Sequence, residues 1–314
     1  MTPITRVEGR RLVLSHLDKV LYPETGFTKG ELLHYYATVA DALLPHLHDR
    51  PVSFLRYPDG PDGPLFFTKN PPPATPAWVR TTPVPRSDSR SRSDSRSRSG
   101  SGSGGLSAEQ VVVADLATLM WSANLVVEFH TPQWPAGRPG VADRMVLDLD
   151  PGPPATVVEC CAAALWLRDR LAADGLETYA KTSGSKGLHL AVALEPTPSA
   201  RVSAYAKRLA QEAERALPGL VVHRMARDLR PGKVFVDHSQ NAAAKTTAAP
   251  YTLRARPRPT VSAPLSWAEV TACRTPSDLV FLADDIPPRL ARDGDHFAPL
   301  TQPGRARPLP GAAP

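Results

Sequence analysis

The stretch Met145-Val146-Leu147-Asp148-Leu149-Asp150-Pro151-Gly152 constrains this chain more than any other. Alternating residues run into two carboxylates and then a Pro-Gly stop, the pattern of a strand that ends in a turn. Side chains i and i+2 of a strand share a face. Met145, Leu147 and Leu149 therefore point one way, and Val146, Asp148 and Asp150 the other. Two acids side by side repel unless a cation lies between them, and hard divalent ions take carboxylate oxygens. The same eight residues also suit a strand end whose acids merely face water, so the rest of the chain has to decide.

Apolar residues at helical period predict a helix over about 155–174, with Val157, Cys161, Ala164, Leu165 and Leu171 on one face and Gly175 as terminator. A strand at Thr178–Thr182 follows. The expectation is a βαβ unit whose acids lie at a carboxyl strand end, where open α/β sheets bind ligands. Next comes Ser183-Gly-Ser-Lys-Gly-Leu-His189, whose glycines, hydroxyls and lysine suit a turn around an anion. A plain flexible turn has the same composition, and no Gly-Lys-Ser/Thr opens a helix here as a Walker loop would. His189 alternates with Leu188 and Leu190 and so faces away from the core. A second alternating strand, Lys233–Asp237, ends in a third acid on the face opposite Val234 and Val236. Gln240, Asn241, Lys245, Arg254 and Arg256 follow closely.

In the N-terminal half, Arg11–Leu14 reads as a strand. Thr28 opens a helix with capping-box partner Glu31, and Pro45 is expected to end it. Lys29 stands at the first position of that helix, where the dipole disfavours a cation. It is either a solvated lysine or half of an anion site. A strand pair is expected within 51–70, a strand at Val111–Val113, and a helix capped by Asp115 running to Asn124. Val126–His130 is another strand, with His130 at its end. Further on, a helix is expected at about 200–217, and a short one capped by Ser266 and Glu269.

The 314 residues allow one large domain or two modest ones. No window of 18 apolar residues suggests a membrane span, Met1–Arg11 lacks a signal core, and Cys160, Cys161 and Cys273 form no disulfide or zinc pattern. A cytoplasmic location is expected. The net charge is +6, but Arg86–Ser99 alone carries five arginines against two aspartates, or +3. Residues 86–105, a Ser/Arg/Asp repeat fading into Ser-Gly, read as a disordered insertion. Residues 291–314 read as a flexible Pro-rich tail, after a single catalytic domain over 1–290.

Several of these segments, taken together, resemble the polymerase domain of bacterial ligase D, an end-joining member of the archaeo-eukaryotic primase superfamily. The resemblance covers roughly 10–290 apart from the insertion. It rests on Leu147-Asp-Leu-Asp-Pro-Gly152, Thr182-Ser-Gly-Ser-Lys-Gly-Leu-His189, Gly232-Lys-Val-Phe-Val-Asp237, Ser239-Gln-Asn241, Lys245-Thr-Thr247 and Ala249-Pro-Tyr-Thr-Leu-Arg254. It implies an α/β (α+β) fold, a primase-polymerase-type core with central mixed sheets flanked by helices. It implies that Asp148, Asp150 and Asp237 hold two divalent ions, Mn²⁺ or Mg²⁺. Ser183, Lys186 and His189, with His130, Arg230, Gln240 and Arg254, would surround a ribo- or deoxynucleoside triphosphate, with ribonucleotides preferred. Lys19 and Lys29 would hold the 5′-phosphate of a gapped or broken DNA end. The implied partners are DNA, a Ku-type end-binding protein and a separate DNA ligase, on the nucleoid. Nucleotide addition is an in-line displacement at phosphorus that needs no protein nucleophile.

The chain departs from the family where His238 replaces a frequent tryptophan and Ala191 a frequent aromatic, and in the Ser/Arg insertion. Neither a ligase nor a nuclease segment is present, which suggests a free-standing polymerase. Two other readings compete. Asp-x-Asp at a strand end also opens haloacid-dehalogenase phosphatases, although there Thr or Val follows rather than Pro151. A non-catalytic DNA-end-binding module is the third reading, and the intact set of three acids argues against it.

Overall fold

Two sheets with separate apolar cores divide the chain, a computed structural model that describes residues 4–85 and 107–311. The insertion expected at 86–105 lies outside the described residues. The first part contains β1 (Ile4–Val7), β2 (Arg10–Val13), β3 (Val20–Tyr22), β4 (Phe27–Thr28), α1 (Lys29–Thr38), α2 (Ala40–Leu47), β5 (Pro51–Arg56), β6 (Phe66–Thr68), β7 (Thr81–Pro85), β8 (Ser107–Val112), α3 (Leu116–Ala123) and β9 (Val127–Thr131). The second contains β10 (Val141–Pro151), α4 (Val157–Ala173), β11 (Tyr179–Thr182), β12 (Leu188–Pro198), α5 (Ser199–Ala216), β13 (Val221–Val222) and β14 (Val234–Asp237). The chain then returns to the first sheet as β15 (Thr247–Ala248) and to the second as β16 (Pro264–Leu265), before α6 (Trp267–Ala272) and α7 (Ile286–Asp293).

The second sheet has the order β13-β14-β10-β12-β11-β16 and the first β15-β9-β5-β8-β7, with β6 beside β5. This is the expected α+β architecture of mixed sheets with flanking helices. Met145, Leu147 and Leu149 of β10 enter the core under α4 and α5, while Val146 joins a small cluster on the opposite face with Ala191 and Phe297. The face assignment made from alternation therefore holds. The βαβ unit β10–α4–β11 is present in split form. β10 and β11 both run antiparallel to β12, which lies between them, so they are parallel but not neighbours. The glycine-rich turn is thereby a β11–β12 hairpin, so its strand β12 runs directly beside the acids of β10.

Local capping follows the sequence. Thr28 Oγ1 accepts the Glu31 N–H at 3.2 Å, and Glu31 returns to the Thr28 N–H at 2.6 Å. Thr156 with Glu159 and Ser266 with Glu269 form the same box. Pro45 does not end the first helix. The break comes at Val39, and Pro45 sits near the end of α2, two residues before its terminus. The C-terminal segment is not a tail over its described length. Phe297 is 1% exposed and Leu309 4%, and the Arg307 backbone pairs with the edge of β12 at Leu194. Enough apolar residues are spaced among the prolines of this segment to repay ordering it. No helix among the described residues is long and apolar enough to cross a membrane.

Candidate active site

Strand register brings the three acids together. Asp148 is paired across the sheet with Asp237 of β14 on one side and with His189 of β12 on the other. Asp150 lies two residues further along the same face. Like charges directly opposite in a sheet destabilise it, and the structure shows how this strain is held. The Gln240 amide nitrogen stands between the two paired carboxylates, 3.0 Å from Asp237 Oδ2 and 3.5 Å from Asp148 Oδ2. Asp237 Oδ1 accepts the Ser239 N–H at 2.8 Å. His189 Nε2 lies 3.3 Å from Asp148 Oδ1 but off a hydrogen-bonding line, so that buried oxygen has no hydrogen bond.

The electrostatics separate the acids. Burial would raise the Asp148 pKa, but His189, Lys181 and Arg254 outweigh it and hold the group below the ordinary carboxylate range. Asp150 is pushed up to about 7 by burial and by the charges of Asp148 and Asp237, against the pull of Arg230 and Lys186. Among the described residues no three His, Cys, Asp or Glu side chains form a ready-made metal shell. The donor chemistry nonetheless fits a divalent cation: three hard carboxylates, one orphaned buried oxygen, and a mutual repulsion that a cation would remove. A cation between Asp148 and Asp237 requires Gln240 to swing aside.

An open cleft of about 220 Å³ runs from Asp148 and Asp150 to β9 and the loop after β15, with Asp237 outside its lining. Its lining includes His130, Asp148, Asp150, Ser183, His189, Gln240 and Arg254, so seven residues anticipated from the sequence meet there. The β11–β12 turn is packed tightly against β10. A Cβ on Gly187 would lie 1.9 Å from the Leu149 carbonyl oxygen, and one on Gly184, at φ +67°, 2.6 Å from Arg254 Cγ. The turn is less available to an anion than its composition suggests. Ser183 Oγ accepts the N–H groups of Ser185 and Gly187, each at 3.2 Å. Side chains, rather than those two amides, are left to meet a ligand.

Two buried charged residues that the sequence reading did not single out support this cleft. Glu128 of β9 is 1% exposed. Its carboxylate bonds His130 Nε2 and Arg254 Nε, both at 2.9 Å, and accepts the Ala255 N–H at 2.7 Å. Burial opposes its charge, yet His130 and Arg254 prevail and draw its pKa down to about 2. Arg254 Nη1 also donates to the Ser183 carbonyl, tying the two sheets at the cleft floor. Lys181 of β11, 4% exposed, lies behind His189. An ionisable residue inside an expected strand was the only sequence signal for either.

The remaining anticipated residues sit apart. Lys186 lines a neighbouring, mostly apolar cavity of about 390 Å³ on the far side of the turn. The Arg230 guanidinium stacks on Phe235, 3.7 Å from the ring centroid, near Asp150. Lys19 and Lys29 belong to the first sheet's side of the molecule. The β3–β4 hairpin does bring them together, with the Lys29 N–H donating to the Lys19 carbonyl at 2.8 Å. Burial and the Lys19 charge both lower the Lys29 pKa. The start of α1 offers less than expected, because the Lys29 and Gly30 N–H groups are bonded to Lys19 and Leu17. Lys19 Nζ is engaged by Asp59 at 2.6 Å, so an anion would have to displace that exposed pair.

Residues 28–297 match the family described as LigD, primase-polymerase domain. The multifunctional non-homologous end joining DNA repair protein LigD of Mycobacterium tuberculosis is 42% identical over 298 residues, 91% of this chain and 36% of that protein. The bifunctional non-homologous end joining protein LigD of Bacillus subtilis is 31% identical over 292 residues, 91% of this chain and 44% of that protein. The chain thus spans less than half the length of these relatives. A solved structure, the polymerase domain from M. tuberculosis ligase D in complex with DNA, superposes with a TM-score of 0.81 at 40% identity, covering 93% of this chain and 98% of that one.

Proposed function

The chain belongs to the LigD primase-polymerase domain family, and on that premise we propose that it is a template-dependent nucleotidyltransferase extending 3′ ends at gaps and double-strand breaks. The observation that carries this reading is the cross-strand pairing of Asp148 with Asp237, beside a cleft that Asp148 and Asp150 share with His189, Ser183 and Arg254. Two divalent cations held by the three acids, Mn²⁺ in preference to Mg²⁺, would supply charge stabilisation to the attacking and leaving oxygens of an in-line displacement at phosphorus. The protein's own share is to orient the nucleotide and neutralise its phosphates. The Arg254 guanidinium, the His189 Nε2–H and the Ser183 hydroxyl all face the cleft, where preorganised donors are worth most as charge develops. Lys186 and Arg230, on its flanks, would reach phosphate oxygens by rotating their side chains.

A Ku-type end-binding protein and a DNA ligase are the proposed partners, with the nucleoid as the place of work. A non-catalytic end-binding module is the competing reading. Primer extension on gapped duplex with Mn²⁺, run beside a phosphatase assay, separates these readings. Extension supports the proposal; DNA binding without extension, or release of inorganic phosphate from a monoester, overturns it.

Ribonucleotides are proposed as the preferred substrates, a reading supported by family membership rather than by any side chain placed against a 2′-hydroxyl. Single-nucleotide addition from matched ribo- and deoxynucleotides measures it, and equal efficiencies would refute it.

Lys19 and Lys29 are proposed to hold a terminal 5′-phosphate through side chains alone. Two charge-assisted contacts predict that a 5′-phosphate tightens binding to gapped duplex by about ten- to a hundredfold over a 5′-hydroxyl. Lys29→Ala should remove most of that difference and leave triphosphate binding unchanged. Titration of the two duplexes at fixed salt gives the answer. A variant that keeps the full phosphate preference places the pocket elsewhere.

A further inference from the structure

Lys181 has almost no access to water, and lysine is seldom fully buried without a carboxylate partner. Its ammonium nitrogen lies 2.9 Å from His189 Nδ1 and 2.5 Å from Ser262 Oγ. The Ser262 hydroxyl proton is directed to the Thr182 carbonyl at 2.8 Å, so Ser262 must accept from Lys181. On the other side of the imidazole ring, Nε2 is 3.3 Å from Asp148 Oδ1. A carboxylate offers no proton, so a bare Nε2 facing it would be repelled. The Asp148 carboxylate therefore favours the tautomer with Nε2 protonated, and a Lys181 N–H directed at Nδ1 favours the same one. Whether Nζ carries two protons or three, it has an N–H for each of its two acceptors.

We propose that Lys181 is a positioning residue that fixes the tautomer and orientation of His189, so that the cleft always meets a donor, Nε2–H, suited to a phosphate oxygen of a nucleoside triphosphate. Without Lys181, Nδ1 can take the proton and the ring can turn, presenting a lone pair to the anion instead. A ring nitrogen's role is set by the hydrogen bond its partner nitrogen makes. The geometry also gives Asp148 freedom. Its Oδ1 is near Nε2–H without being bonded to it, so His189 and Asp148 can each accept a ligand without breaking a hydrogen bond to the other.

The tautomer can be read without any ligand, by nitrogen-15 NMR of histidine-labelled protein. Wild type should show His189 with Nδ1 bare and Nε2 protonated, and Lys181→Met should lose that single pattern. The second measurement, calorimetric binding of a nucleoside triphosphate with Mn²⁺, rests on the nucleotide-binding reading above. There Lys181→Met should weaken binding by about tenfold or more, the scale of removing a residue that orients a binding histidine. In a His189→Ala background the same substitution should cost almost nothing. Ser262→Ala, which leaves the lysine in place but removes one anchor, should shift both readouts less and in the same direction. The proposal is overturned if wild type carries the proton on Nδ1, or if Lys181→Met keeps the wild-type tautomer. It also falls if Lys181→Met weakens binding equally with and without His189. Should wild type bind no triphosphate, the nucleotide reading fails while the NMR result still decides the role of Lys181.

Discussion

Asparagine in place of Asp148, Asp150 or Asp237 should abolish template-directed nucleotide addition, with a loss on the order of a thousandfold or more, the scale on which preorganised charge stabilisation acts. Duplex binding should persist, because the two lysines proposed to hold the DNA end lie on the other side of the molecule. The cause is geometric. Asp148 and Asp237 face each other across two strands, and Asp150 follows on the same face, so removing any one takes away a third of the carboxylate set proposed to hold the cations. Asp150→Asn should also change stability in the opposite sense. The Asp150 pKa is raised to about 7, so its contribution is full below the ordinary carboxylate range and is lost as pH climbs through 7. Thermal melts of the metal-free wild type should therefore decline between about pH 4 and 7, and Asp150→Asn should flatten that decline. Asp150 lies at the solvent-open lip of the cleft, so the effect is screened and modest. A variant that extends primers near the wild-type rate would remove that acid from the reaction centre.

Glu128→Gln should be the most damaging single change outside the acids. The carboxylate serves three donors at once: His130, Arg254 and the Ala255 N–H. An amide replaces one acceptor oxygen with a donor, which leaves at least one buried donor unsatisfied. The carboxylate's pKa falls from 4.5 to about 2 on folding. That shift corresponds to roughly 3 kcal/mol of stability. A chain of this size should lose on the order of 5–10 °C in melting temperature at pH 7. The contribution is complete above pH 4.5 and is lost as pH falls toward 2, so the wild type should lose part of its margin over the variant in acid. Nucleotide addition should fall by about ten- to a hundredfold, since His130 and Arg254 lose their common anchor. Equal melting temperatures at pH 7 would show that the ion pairs contribute nothing.

What could be read from the sequence was what local pattern determines. Alternation in Met145–Leu149 and Val234–Asp237 placed the three acids on the face away from the core, capping boxes located the starts of α1 and α6, and apolar periodicity located α4. Long-range pairing was not legible. Nothing local says that β12 inserts between β10 and β11, because a hairpin and a crossover need the same alternating residues. For the same reason Glu128 and Lys181 escaped notice. Their partners Arg254 and Ser262 are 126 and 81 residues away in the chain, and isolated charges in apolar strands gain meaning only once the sheets close. Phe297 and Leu309 were hidden by the prolines around them, which suggest extended chain without saying whether it packs. The Gln240 amide between Asp148 and Asp237 was likewise invisible, although the family resemblance put that residue near the nucleotide.

The central claim is that the paired carboxylates direct addition by copying a template. The sharpest measurement places each of the four bases in turn opposite a one-nucleotide gap with a 5′-phosphate and supplies each nucleotide singly with Mn²⁺. The proposed activity predicts that the complementary nucleotide is added in every case and far faster than the other three, and that Asp237→Asn adds none. Addition that ignores the templating base, or persists in Asp237→Asn, would contradict it.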